Sequence, residues 1–323
     1  MPRLIRDKAP RTSGRGKAPE ERSIEELLQA GVVVLDKMQG PTSHQATAWV
    51  RDVLQVDRIG HGGTLDPNVS GVLPIALGRA TRLTDLVLRS DKQYVCHMKL
   101  HRDRPEAKVR EVLGTFVGDI YQVPPVRAAV KRQMRVRKVR SIDILEVGGR
   151  EVLFRVDCDA GTYIRTLCVD VGEALGVGAN MAALRRTRSG SMVESQAVTL
   201  QDLTDAVVRW KEGDPTWLRS MLIPMEVLLE PLPHIVLKDS AVDAVCHGAD
   251  LASPGVVELD EGIVKGATVA MMTLKGEAVG LGIATSAAED MLKATDGLAV
   301  RTQRVLMPPG TYAKGWTLRQ KPA

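Results

Sequence analysis

Aromatic side chains are scarce, only 3% of the 323 residues, so the interior must be built from aliphatic groups. Few rings are left to stack on a ligand. Cysteine is equally sparse. Cys96, Cys158, Cys168 and Cys246 match neither a disulfide framework nor a paired zinc-binding pattern, and read as small buried thiols in a reducing cytoplasm. No apolar run reaches the length needed to cross a bilayer. The opening stretch, MPRLIRDKAPRTSGRGKAPEER, has no apolar core, so a secretory signal is not expected. No metal-ligand motif and no internal repeat is present. What remains is a chain 44% apolar and 26% charged, long enough for two domains.

The net charge of +5 conceals a strong asymmetry. Residues 1–22 hold seven Lys/Arg against three Asp/Glu, and residues 126–140 hold seven Lys/Arg and no acid. Basic charge confined to two segments of an otherwise acidic chain suits a polyanionic partner, although a single charge run is also an ordinary solvated face.

Residues 1–22, rich in Pro, Gly, Ser and Arg, read as irregular or as ordered by a partner. Gly31–Lys37 reads as a buried strand. Thr42 with Gln45 forms a capping box for a helix whose stripe is Ala46, Trp49, Val50, Val53 and Leu54. Residues 60–74 read as a glycine-rich loop, followed by a helix near Thr81–Leu88. Gln93–Leu100 and Ile142–Val147 read as strands, and Val152–Cys158 alternates strictly. A helix follows with Ile164, Leu167, Cys168, Val171 and Leu175 on one stripe and Gly176 as its stop. Helices and strands mix without the regular alternation of a doubly wound sheet, so an α+β domain with a largely antiparallel sheet is expected. Pro224, Pro231 and Pro233 mark a boundary. Short strands beyond it, Gly255–Asp260, Ala267–Leu274 and Ala278–Ala284, predict a small, mostly β domain from about His234 to Met307.

Chemistry centres on Asp66, within GHGGTLDPNVSGVLP. Gly62 and Gly63 free the backbone, and Pro67 biases Asp66 towards extended geometry. Such a loop is also what a simple turn contains. Arg165, in the first turn of its helix, would hold a neighbouring carboxylate ionised, the state a nucleophile needs. Tyr94 lies in a strand and reads equally as a core tyrosine.

LDKMQGPTSH (35–44), GHGGTLDPNVSGVLPIALGRATR (60–82), KQYVCHMKLH (92–101), AGTYIRTLCVDVGEALG (160–176) and MAALRRTRSG (181–190) together resemble the motifs of the TruB-type pseudouridine synthases. The basic stretch YQVPPVRAAVKRQMRVRKV (121–139) resembles the thumb loop of the dyskerin branch, which works in H/ACA ribonucleoproteins. AVCHGADLASPGVV (244–257), VAMMTLKGEAVGLGIA (269–284) and VLMPPGTYAKGW (305–316) look like that branch's PUA domain. The resemblance runs from about Gly31 to Trp316. It departs from the usual pattern at Met38, Gly63, Gln93, Ala128 and Asn180.

The resemblance implies a pseudouridine synthase fold over 23–232, after a basic extension over 1–22. A PUA domain would follow over 233–316, with a tail over 317–323. It implies Asp66 as nucleophile, with Tyr94 stacked on the base and Arg165 orienting Asp66. Lys37, His61, Leu184, Arg186, Arg127, Lys131, Arg132 and Arg135 would contact substrate RNA, His61 filling the space the flipped base leaves. Gly248, Ala249, Lys275 and Gly276 would contact guide RNA. No cofactor, metal or membrane is implied. The expected partners are an H/ACA guide RNA, an rRNA or tRNA substrate, and small zinc-binding, small β-barrel and kink-turn-binding proteins. The expected activity is RNA-guided isomerisation of uridine to pseudouridine. The alternatives are a stand-alone synthase for the tRNA T-loop and a non-catalytic RNA-binding scaffold.

Overall fold

A computed structural model describes residues 2–124, 131 and 133–314. The chain gathers into two compact units. One holds residues 33–76 and 83–221; the other holds the N-terminal residues to 32, residues 77–82, and the chain from 222 onward.

In the first unit the sheet runs in the order Gly31–Lys37, Val69–Leu77, Ala179–Ser189, Lys92–Leu100, Glu151–Cys158, Arg135–Gly148, Gly118–Gln122. Val69–Leu77 and Ala179–Ser189 run parallel. The pairings from Ala179–Ser189 through Lys92–Leu100 and outward to Gly118–Gln122 are antiparallel. The expected α+β architecture with a largely antiparallel mixed sheet is the one observed.

The capping box forms as its sequence dictates. Thr42 Oγ1 accepts from the Gln45 N–H at 3.1 Å and Gln45 Oε1 accepts from the Thr42 N–H at 2.9 Å, starting the helix Ser43–Leu54. Its buried face is narrower than the periodicity implied: Ala46, Val50 and Leu54 are buried, while Trp49 is exposed. The helix Ile164–Ala174 buries Ile164, Leu167, Cys168 and Val171, and Leu175 just past its end is buried too. Gly176 follows with φ +66°. Near residue 81 the single helix expected is instead a 3-10 segment, Gly78–Leu83, followed by the helix Thr84–Arg89.

The largest departure is Val69–Leu77. Its glycine and proline read as loop, yet it is a nearly fully buried strand. Gly71 sits at φ +104°, and a Cβ there would lie 2.2 Å from the Arg186 carbonyl oxygen, so the glycine is what allows the neighbouring strand to approach.

The second unit has a sheet in the order Arg3–Ile5, Val256–Asp260, His234–Leu237, Thr268–Met272, Ala278–Ala284, Leu298–Val305, Leu251–Ala252. Its core is aliphatic, including Ile235, Leu237, Val256, Val269, Val279 and Val300. The buried Tyr312 donates its hydroxyl proton to Glu277 Oε2 at 2.6 Å.

One expectation changes here. The N-terminal segment is not wholly irregular: Arg3–Ile5 adds an antiparallel strand to Val256–Asp260. Residues 222–232 gather with the second unit. The Arg22 guanidinium grips Glu226 with both outer nitrogens at 2.8 Å, and Glu226 Oε1 accepts from the Ala278 N–H at 2.9 Å. Among the described residues no helix is long and apolar enough to cross a membrane.

Candidate active site

Asp66 lies on the turn between the strands Ile59–His61 and Val69–Leu77, and the residues either side of it are pinned. The fully buried Ser43 hydroxyl accepts from the Leu65 N–H at 2.8 Å and donates to the Leu65 carbonyl at 3.1 Å. The Pro67 carbonyl accepts from the Gly40 N–H at 2.9 Å and from Lys37 Nζ at 3.4 Å. At the head of the loop the Gly62 N–H donates to the Pro74 carbonyl at 2.8 Å. Gly63 takes φ +125°, which favours glycine. With both neighbours held by the backbone, the Asp66 side chain projects outward, about half exposed.

Arg165 meets it there. The Arg165 Nη2 donates to Asp66 Oδ2 across 99 residues of sequence. Both partners are about half exposed, so the pair orients the carboxylate more than it stabilises the fold.

Tyr94 sits in mid-sheet, opposite Val156 on one side and Arg186 on the other. Burial pushes its phenol above the ordinary range. The hydrogen-bonded Arg186 opposes that shift, and the nearby Asp66 adds to it. Val69 and Gly71 pair with Leu184 and Arg186. One stretch of Ala179–Ser189 therefore touches both the strand leaving the Asp66 loop and the strand carrying Tyr94.

Arg186 lies beneath the loop. It is 1% exposed, its Nε donates to the Val72 carbonyl at 2.7 Å, and its Nη2 donates to the Gly63 carbonyl at 3.1 Å. It is also hydrogen-bonded with Tyr94. Lys37 behaves alike: 1% exposed, it donates to the Met38 carbonyl at 2.8 Å as well as to Pro67. Burial, then Arg186, lowers its pKa, against the opposing pull of Asp66. The unusual Met38 contributes only its carbonyl; its side chain is exposed.

Lys92 was not singled out in the sequence. It is buried, and its ammonium donates to the Val87 carbonyl at 2.7 Å, the Ser90 carbonyl at 2.6 Å and Ser90 Oγ at 3.0 Å. Burial, with Arg186 nearby, lowers its pKa to about 7. A signal was available: Lys92 shares strand parity with the buried Cys96, Met98 and Leu100. Gln93, another departure, donates from Nε2 to Asp157 Oδ2 at 2.8 Å and accepts from Thr187 Oγ1 at 2.9 Å. An amide serves both contacts; a carboxylate would face Asp157 with like charge.

His61 stacks edge-on against His44, ring centroids 4.9 Å apart and planes at 83°. Burial, then the proximity of His44 and Arg186, lowers its pKa. Leu184 is buried, opposite Cys96. The strand Gly118–Gln122 and the start of Arg135–Gly148 pair as a basic ribbon, which Arg135 enters and the exposed Lys131 precedes, whereas Arg127, Arg132 and Ala128 fall outside the described residues. Asn180 is an exposed strand residue opposite Lys99.

In the other unit Gly248 and Ala249 are exposed after the helix Asp239–Cys246. Gly276, at φ +80°, occupies the turn between two strands. Lys275 is already engaged there, donating to the Gly16 carbonyl at 2.8 Å.

The site is thus an oriented carboxylate facing a guanidinium, beside a half-buried phenol, on a floor of cations that bind main-chain carbonyls. The chain matches the family model "TruB family pseudouridylate synthase (N terminal domain)" over 51–106 and 101–164. It matches "tRNA pseudouridylate synthase B C-terminal domain" over 165–230, a PUA domain over 233–306 and a DKCLD domain over 3–47. It is 55% identical over 302 residues to "Probable tRNA pseudouridine synthase B" of Methanothermobacter thermautotrophicus, covering 93% of each chain. It is also 55% identical to the protein of that name from Methanopyrus kandleri, over 94% of this chain and 90% of that one. Among solved structures it resembles a chain of a Cbf5-Nop10-Gar1 complex, with a TM-score of 0.92 and 50% identity over 97% of this chain and 96% of that one. It resembles equally a chain of an H/ACA RNP bound to a substrate RNA containing 2'-deoxyuridine, with a TM-score of 0.92 and 49% identity over 98% and 97%. With more than half its residues shared with relatives across nearly its whole length, this chain belongs to the TruB family of pseudouridine synthases.

Proposed function

We propose that this chain is the catalytic subunit of an H/ACA ribonucleoprotein, isomerising guide-selected uridines to pseudouridine in rRNA, and possible tRNA, substrates. The observation that carries the reading is the Asp66–Arg165 pair on a pinned loop beside Tyr94. The reaction breaks the bond from uracil N1 to the ribose C1′, turns the base, and joins C5 to C1′, after which C5 loses a proton, N1 takes one up, and the bond made by the nucleophile is broken to release the enzyme. Asp66 is the nucleophile, adding to sugar or base, with its direction held by Arg165. Tyr94 stacks on the base after the uridine is extruded from its strand. Leu184 and His61 line the space around it.

The ribbon residues Lys131 and Arg135 contact substrate phosphates, as would Arg127 and Arg132. Residues 233–316 form the part that holds guide RNA, through Gly248, Ala249, Lys275 and Gly276. The proposed protein partners are a small zinc-binding protein, a small β-barrel protein and a kink-turn-binding protein. That similar chains assemble with Nop10, Gar1 and substrate RNA supports this reading. The proposed setting is the cytoplasm, in keeping with four free, buried cysteines.

The curated relatives' name favours a second reading, stand-alone modification of tRNA. Mapping pseudouridines on rRNA and tRNA, with and without guide RNA and partner proteins, decides between them. The expected result is guide-dependent modification that Asp66→Asn abolishes. Modification confined to tRNA without a guide would overturn the guided reading, and an active Asp66→Asn enzyme would overturn the nucleophile.

A further inference from the structure

Gln122 is 2% exposed and ends the strand Gly118–Gln122. Its amide clasps the backbone of one distant residue: Nε2 donates to the Tyr163 carbonyl at 3.1 Å, and Oε1 accepts from the Tyr163 N–H at 2.9 Å. Tyr163 is the N-cap of the helix Ile164–Ala174 and supplies no side-chain cap of its own. An unpaired N–H at a buried helix start is costly, and here a side chain from another element satisfies it. Arg165 stands two residues further on, in the first turn, where it meets Asp66. On its own ribbon Gln122 pairs with Arg135. The clasp thus joins the root of the basic ribbon to the helix start that aims Arg165.

We propose that Gln122 is a positioning residue for the reaction: it fixes the first turn of the Ile164–Ala174 helix and thereby the direction of Arg165 against Asp66. The proposal rests on the catalytic reading of that pair. An amide is needed because it offers a donor and an acceptor on one planar group to the C=O and N–H of a single residue. An apolar side chain of equal length fills the space but lets the helix start drift.

The test measures single-turnover pseudouridine formation at saturating RNA in the complete ribonucleoprotein. Gln122→Met should lower the rate constant by about 10- to 100-fold, the scale of a displacement near 1 Å, with RNA affinity unchanged within about twofold. Gln122→Glu keeps the acceptor for the Tyr163 N–H and should lose less. In an Arg165→Lys background, Gln122→Met should cost no more than about a further twofold, because residues acting as one unit are not additive. A wild-type rate in Gln122→Met overturns the proposal, as does a full multiplicative loss in the Arg165→Lys background. If Gln122→Met does not fold, Gln122→Glu decides: a reduced rate at unchanged affinity supports the clasp and a wild-type rate overturns it. Asp66→Asn run alongside separates the failures. An active Asp66→Asn enzyme removes the catalytic reading itself, whereas an inactive one beside a fully active Gln122→Met removes only the role of Gln122.

Discussion

Lys37, Lys92 and Arg186 are buried and donate to main-chain carbonyls, whereas Lys131 and Lys138 on the basic ribbon keep their charges at the surface, and Arg135 stands between the two, half-buried and donating to the Lys131 carbonyl at 3.3 Å. The sequence assigns Lys37 and Arg186 to RNA along with Lys131 and Arg135. Geometry divides them. The first group forms a floor under the Asp66 loop, where each side chain takes the place of water at main-chain carbonyls. The second leaves its charges free to exchange counterions for phosphates. The lesson is that a cation that is both buried and bound to main-chain carbonyls serves the scaffold, whatever its residue type suggests.

The sharpest way to break this comparison is Arg186→Met. It strips partners from the Gly63 and Val72 carbonyls. A stability loss of about 3 kcal/mol or more is expected by denaturant unfolding, with little change in the salt dependence of RNA binding. A phosphate-binding role would give the reverse. Next is Lys92, whose pKa is about 7 when folded, against an ordinary lysine value when unfolded. The unfolded chain then binds the extra proton between those values, so stability rises with pH by up to about 1.4 kcal/mol per unit from pH 7 towards 10. Subtracting the profile of Lys92→Met isolates that slope; a flat difference would place the ammonium in water.

For the ribbon, replacing Lys131, Arg135 and Lys138 together by alanine should shallow the plot of log affinity against log salt by about 2–3. Stability should change by no more than about 1 kcal/mol. The smallest effect is expected at Gln93→Glu, which sets a second carboxylate against Asp157 and should cost about 1 kcal/mol near neutral pH, recovering on acidification.

Much of the scaffold was legible in the sequence because its signals are local. The Thr42–Gln45 box and the apolar stripe from Ile164 to Leu175 need no distant partner to be read. Val69–Leu77 was not legible, since Gly71 and Pro74 argue for a loop until Arg186 is seen pressing on Gly71. Asp66, Tyr94 and Arg165 could be named through family resemblance, but their meeting could not be derived from spacing. The burial of Lys37 and Arg186 was hidden because charge is ordinarily read as surface. Nothing near Gln122 in the sequence signals Tyr163.

The position of Ala179–Ser189, inserted between two strands that precede it in the chain, has a consequence for synthesis. Asp66 and Tyr94 leave the ribosome long before Arg186, which pairs with the strands of both. Until that last strand slots in, the first two thirds of the sheet lack their central rung and the Asp66 loop lacks its floor. A chain that stops short of it therefore holds the strand leaving the Asp66 loop and the strand carrying Tyr94 without the strand that joins them.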